Sequence, residues 1–483
     1  NMIKCYAPFL FREEKQESSM GDSTEKDRVF QFFMQSFITT CSILLTVCST
    51  SRFNDTVKRA EAISVDSRRR SHQNIGGVGS TSVQYFSEDS SLLVGTKKGR
   101  ILYNVCNHDE QKKDIKNDGD SLPGDQRSLV DADENDTETP WTELTSEEYK
   151  TKYPIYSIAA MSPESREDEK YLFCGSGDRW ISVWKLFHNH ENTEERPQSE
   201  FVQKLGPHTG WVKDLLYDDG TRLLHSIGCN CIETWDCSSM YYDESNHDRT
   251  PSPLISHAIK RSIENSPTMG TTLSSDLLCL CLVGKTYGKG DDGVPRLLVS
   301  GGVDGRIHSW LSDHTTAEIL DGAVDLDGRE PLDTTLAHDG RVNSIVYSSA
   351  IDVIITVGND GFLCIFRASF DDGFEFISKL KIIPEGSNKE TPSRLTVASI
   401  TNDHEDQCEC SLALGSSNGE LYFVTVEINA QGRVVCRTKG GCEVAEGNPM
   451  VYSIACEENS DTPASPRLWV AHASGVVKLD DYL

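Results

Sequence analysis

LLVSGGVDGRIHSW, residues Leu297–Trp310, is an apolar run that stops at a polar turn, reverses at Gly305 and resumes as a second run ending on Trp. The same design recurs in YLFCGSGDRWISVW (Tyr171–Trp184) and LLHSIGCNCIETWD (Leu223–Asp236). Looser copies are LLVGTKKGRILYNV (Leu92–Val105), VIITVGNDGFLCIF (Val353–Phe366), LALGSSNGELYFV (Leu412–Val424) and LWVAHASGVVKL (Leu468–Leu479). The turns fall at Gly99, Arg179, Asn230, Gly305, Gly361, Gly419 and Gly475, between 51 and 80 residues apart. Gly, Asn and Asp occupy them because hairpin turns need residues that tolerate positive φ. Hairpins repeating at this spacing predict an all-β fold, a seven-bladed β-propeller.

A further β-run precedes nearly every hairpin: SVQYF (Ser82–Phe86), IYSIAA (Ile155–Ala160), WVKDLLY (Trp211–Tyr217), LLCLCLV (Leu277–Val283), RVNSIVY (Arg341–Tyr347), RLTVASI (Arg394–Ile400) and VYSIAC (Val451–Cys456). Their short apolar or alternating pattern, bounded by Gly, Asp, Ser and Pro, favours strand over helix. Three inner strands per blade are therefore legible, and the outer strand is weaker. The seventh unit has no room for an outer strand after Val476–Leu483. The expected donor is the segment before blade 1, with Ala62–Val65 chosen for its apolar run; a ring closed this way exposes no edge.

These residues resemble the WD-repeat family. The likeness rests on Trp184-Lys185, Trp235-Asp236, Trp310 and Phe366 closing third strands. It rests also on His208 and His338 ahead of inner strands and on Asp178, Asp304 and Asp360 in the turns. The resemblance implies a hydrogen-bonded brace of Asp, His, Ser or Thr, and Trp in each blade. It also implies that residues flanking the start of each inner strand face the channel mouth: Gln84, Tyr156, Trp211, Lys213, Arg341, Asn343, Met450 and Tyr452. Tyr, Trp, Arg and Met are the types that anchor protein interfaces. The Arg that marks substrate receptors of cullin-4 ubiquitin ligases is Ser238 here.

The chain has 483 residues and a formal net charge of −28, which repels phosphate backbones and argues against direct nucleic-acid binding. Its one basic run, Arg68-Arg69-Arg70, reads as a solvated linker. The expected organisation is an extension over residues 1–59 and a propeller over 60–483. Residues 107–152 hold 14 Asp or Glu against 6 Lys or Arg. With so few apolar residues this insertion is expected to be disordered and dispensable for folding. Asn189–Ser199, Ser238–Ser275, Thr315–Thr335 and Gly386–Ser393 read as loop insertions.

Sixteen cysteines follow no disulfide spacing, and Cys174, Cys364 and Cys456 stand where small apolar residues belong, which fits a reducing compartment. The pairs Cys229/Cys231, Cys279/Cys281 and Cys408/Cys410 each share a strand face, yet none has zinc-finger spacing, so packing is expected and no metal or other cofactor. Gly284-Lys285-Thr286 lacks the upstream Gly of a phosphate-binding loop. His208 and Asp214, imaginable as an acid–base pair, are read as structural.

Val29–Ser49 is the most apolar stretch, but its Gln, Ser and Thr content speaks against a membrane span. Read from Met20, it is a candidate targeting or anchoring segment. The expectation is a monomeric, non-enzymatic scaffold in cytoplasm or nucleus that holds protein or peptide partners. The alternative is a secreted or lumenal propeller enzyme with carboxylates in its channel, for which the sequons at Asn54 and Asn135 would matter.

Overall fold

The computed structural model describes residues 70–73, 79–86, 90–105, 141–163, 169–187, 198–237, 240, 253–258, 276–284, 297–311, 327–329, 331–369, 372–383, 393–404, 408–429, 431–445, 447–457 and 467–479. All belong to a unit spanning Ala62–Leu483; a separate unit, Asn1–Glu61, lies outside the described residues, as does the apolar stretch 29–49. Among the described residues every element is a strand, and seven sheets form. Their innermost strands are Ser80–Phe86, Ile155–Met161, Val212–Asp218, Leu277–Val283, Val342–Ser348, Leu395–His404 and Val451–Glu457. Each touches the next, and the last touches the first, so the sheets close into a seven-bladed propeller.

Burial follows distance from the axis. Second strands such as Ser91–Thr96, Leu297–Gly302 and Val353–Gly358 are buried at every position, which explains their unbroken apolar runs. The outer strand Gln198–Leu205 alternates exposed and half-buried residues. The core lies between facing blades: Val353, Ile355 and Val357 of blade 5 meet Leu395, Leu412 and Leu414 of blade 6. Trp184, Trp235 and Trp310, closing the third strands of blades 2, 3 and 4, are fully buried.

Every inner strand carries a register shift just after its first residue, from Ser80/Ser82 in blade 1 to Val451/Ser453 in blade 7. A bulge leaves one residue unpaired and re-aims it. Those residues are Thr81, Tyr156, Lys213, Leu278, Asn343, Thr396 and Tyr452.

The ring is closed from the N-terminal side, but by Arg70–Gln73, which pairs antiparallel with Gly475–Leu479 from Arg70↔Leu479 to Gln73↔Val476. Ala62–Val65 lie outside the described residues. An outermost strand needs backbone pairing rather than an apolar face, so an apolar run was the wrong criterion. The basic run read as linker thus contributes Arg70 to a sheet.

The polar insertions also build edges. Thr142–Glu143, inside the acidic segment, is the outer strand of blade 1. Pro253–Ala258 is the outer strand of blade 3, and Asp333–Leu336 that of blade 4. Asp327–Arg329, from the connection within blade 4, adds a fifth strand parallel to Pro253–Ala258 and covers that edge.

Candidate functional site: the channel mouth and its bracing

The repeated bulge places side chains at the channel mouth. Tyr156 and Trp211 stack with ring centroids 5.9 Å apart. Lys213 Nζ lies 3.6 Å from the Tyr156 centroid and 4.5 Å from that of Trp211. From blade 7, Tyr452 lies under Lys97, whose Nζ is 4.8 Å from the ring. Tyr156 of blade 2 feels Tyr452 of blade 7, and Lys213 of blade 3 feels Arg341 of blade 5. Coupling between blades that are not neighbours puts these groups around the axis.

Trp211 is 52% exposed, and Met450, which precedes the inner strand of blade 7 as Trp211 precedes that of blade 3, is 36% exposed. Burial, with Arg341 nearby, pushes the Lys213 ammonium down to about 8, while Asp276 opposes the shift. Burial and then Tyr452 push the Tyr156 phenol up. The mouth therefore presents an indole, two phenols and a cation cluster in a chain of strongly negative net charge.

Two expected members differ. Asn343 Nδ2 donates to Asn359 Oδ1 (2.8 Å) and to the Leu395 carbonyl, so its amide joins blades 5 and 6. Gln84 is three residues further along its strand than the bulge residue, Thr81. It lines a cavity of about 230 Å³ with Ser399 and Ala455, deeper in the channel. The run SVQYF hid the true strand start, because Ser80 and Thr81 are polar yet buried: the Ser80 hydroxyl donates to the Gly475 carbonyl and the Thr81 hydroxyl to that of Ile155.

Behind this surface lies a set of braces. In blade 5, His338 Nδ1 donates to Asp360 Oδ1 (2.8 Å), and its Nε2 bonds Thr356 Oγ1 (2.9 Å). Burial raises the Asp360 carboxyl, but His338 and the N–H groups of Asp339 and Phe362 outweigh it and hold it below the usual carboxylate range. Phe366 stands where a Trp would complete the set.

Blade 3 has the complementary half. Trp235 Nε1 donates to Ser226 Oγ (2.8 Å), and Ser226 bonds His208 Nε2 (2.8 Å). No Asp serves His208, because the turn is the two residues Cys229-Asn230, one shorter than in blade 5. The His rings lie on glycines: a Cβ at Gly228 or Gly358 would come within 2.7 Å or 2.6 Å of the ring of His208 or His338. Asp236 ends its third strand opposite Leu223. In blade 4, Trp310 donates to Ser300 (2.9 Å), while Asp304 accepts from the Arg306 N–H (3.0 Å).

Blade 2 uses a residue that the sequence reading had placed in disorder. Tyr149, within the acidic segment, is 4% exposed. Its hydroxyl donates to Asp178 Oδ2 (3.1 Å), and its ring stacks on Phe201 and meets Trp184 edge-on. Cys174 occupies the place of Ser226, and the serine has moved to its cross-strand partner Ser182, which accepts from Trp184 Nε1 (3.0 Å). The signal was the position of Tyr149 just ahead of an inner strand, as with His208.

Asp214, considered beside His208, joins three blades instead. Its carboxylate accepts from Ser157 Oγ (3.0 Å) in blade 2, its neighbour Leu215 N–H (2.9 Å) and Leu280 N–H (2.9 Å) in blade 4. Burial nevertheless pushes it up to about 6. The sequence reading also missed that His208, Cys231 and Glu233 come together, with donor atoms within 4.8 Å of one another. Among the described residues no helix is long and apolar enough to cross a membrane. Comparison with protein-family models and with curated proteins found no match.

Proposed function

We propose that this chain is a divergent WD-repeat ring that acts as a non-catalytic scaffold, holding protein or peptide partners at the channel mouth. One observation carries the reading: Tyr156, Trp211, Lys213, Arg341 and Tyr452, from four blades, converge there with the indole 52% exposed. A half-open Trp stacked on Tyr and overlaid by ammonium is the composition from which interface energy is drawn. The cations favour a partner segment carrying carboxylates. The partial braces of blades 3 and 5, each holding three members of the Asp–His–Ser/Thr–Trp set, support the family reading.

The test is quantitative pull-down from source-cell extract with the unmodified chain, Trp211→Ala and Lys213→Glu. Both variants are expected to lose the same partners while keeping the circular dichroism spectrum and melting temperature. Retention of every partner by two folded variants would reject the assignment.

A further inference from the structure

The unusual half-brace of blade 3 leaves a nitrogen without a partner. Ser226 Oγ donates its one proton to the Glu233 carbonyl (3.1 Å) and accepts from Trp235 Nε1. With the hydroxyl proton placed there, His208 carries its own on Nε2 and donates to Ser226 (2.8 Å). That leaves Nδ1 as a bare lone pair. The ring is 1% exposed, and Nδ1 has no hydrogen-bond partner. In blade 5 the equivalent nitrogen is protonated and held by Asp360. Blade 3 lost that Asp with its shorter turn, and a buried acceptor without a donor is costly enough to need an explanation.

The neighbours supply one. Cys231 is buried, its thiol donating to the Gly228 carbonyl (3.1 Å), and Gly228 is the residue on which the His208 ring rests. Glu233 places Oε2 3.4 Å from Nε2, the other nitrogen of the same imidazole. Among the described residues this is the one group of three metal-type donors, from three residue types that zinc accepts. We propose that His208, Cys231 and Glu233 bind one borderline-soft divalent cation, zinc fitting best, at the top of blade 3.

Tetrahedral zinc with ordinary bond lengths sets its ligands about 3.3–3.8 Å apart. The widest separation, 4.8 Å at most, therefore closes by about 1–1.5 Å on binding. Binding releases the Cys231 thiol proton, and that of Glu233 where it is protonated, to solvent. The fourth position is left to water. The ion would brace the histidine, as Asp360 does in blade 5, so its expected role is structural.

The full-length chain, stripped of metal with chelator and kept reduced, is titrated with Co²⁺ and then displaced with Zn²⁺. The expected result is a saturable thiolate-to-cobalt absorption band at one equivalent, loss of the band on adding zinc, and a raised melting temperature. Cys231→Ser abolishes the band. Glu233→Gln weakens cobalt binding by more than about 100-fold, a lost ligand costing more than a lost outer-shell partner. Cys408→Ser, an exposed thiol elsewhere, leaves both intact. Absence of a saturable band in the unmodified chain would overturn the proposal. So would a band that survives Cys231→Ser and disappears in Cys408→Ser. Neither outcome bears on partner binding at the channel mouth.

Discussion

Removing the Tyr149 hydroxyl separates a bracing role from loop decoration. In Tyr149→Phe the ring stays against Phe201 and Trp184, and only the bond to Asp178 is lost. A buried hydrogen bond to a charged group contributes about 1.5–3 kcal/mol. Asp178 keeps the Trp180 N–H (3.1 Å), so the low end, about 1.5 kcal/mol, is expected. Tyr149→Ala also opens a cavity beneath two aromatic rings, and a loss of about 4–5 kcal/mol is expected. Urea denaturation followed by tryptophan fluorescence and circular dichroism reads both, with the midpoint ordered wild type, Phe, Ala. Replacing residues 107–139 by a short Gly/Ser linker should leave the midpoint unchanged, whereas extending the excision to residue 152 should lower it at least as far as Tyr149→Ala. If excision through 152 and Tyr149→Ala both leave the midpoint unmoved, Tyr149 does not brace blade 2.

Truncation through residue 69 should preserve the melting temperature, whereas truncation through residue 73 removes the edge strand and should cost about 2–4 kcal/mol from its backbone bonds, with light scattering reporting association through the exposed edge. His225 is 1% exposed and burial holds it down to about 4, so it folds neutral; stability it confers is present above its unfolded value near 6.5 and is lost as pH falls toward 4. Between pH 7 and pH 4 the wild type should lose about 3 kcal/mol more than His225→Asn, measured by paired urea titrations. If Lys213 pairs with partner carboxylates, affinity should fall as pH rises through about 8, and Lys213→Met should lose that dependence in a binding titration.

The propeller was legible because buried second strands write long apolar runs and hairpin turns demand Gly, Asn or Asp. What escaped reading is what does not depend on apolar pattern. The closing strand Arg70–Gln73 pairs through backbone, and its sequence, RSHQ, carries no strand signature. Tyr149 sits two residues after a Ser-Glu pair and before Lys150, so composition averaged over its neighbourhood masks one buried aromatic. The apolar strand starts Val212 and Val451 mark the bulge residues Lys213 and Tyr452, whereas in blade 1, which begins Ser80-Thr81-Ser82, the expected Gln84 lies three positions past the bulge. The grouping of His208, Cys231 and Glu233 depends on a turn one residue short, which leaves no mark until the histidine ring is seen to lack its Asp.

The central claim is that partners engage the channel mouth, and site-specific photo-crosslinking tests it most directly. A photoreactive phenylalanine derivative is placed at position 211, and in a second protein at position 376, where Phe376 is 57% exposed on the outer strand of blade 5. Irradiation in source-cell extract, with adducts identified by mass spectrometry, is expected to give discrete partner adducts from position 211 that Lys213→Glu abolishes, and none from position 376. Adducts from position 376 with none from position 211 would move the binding surface to the side of the ring and contradict the account.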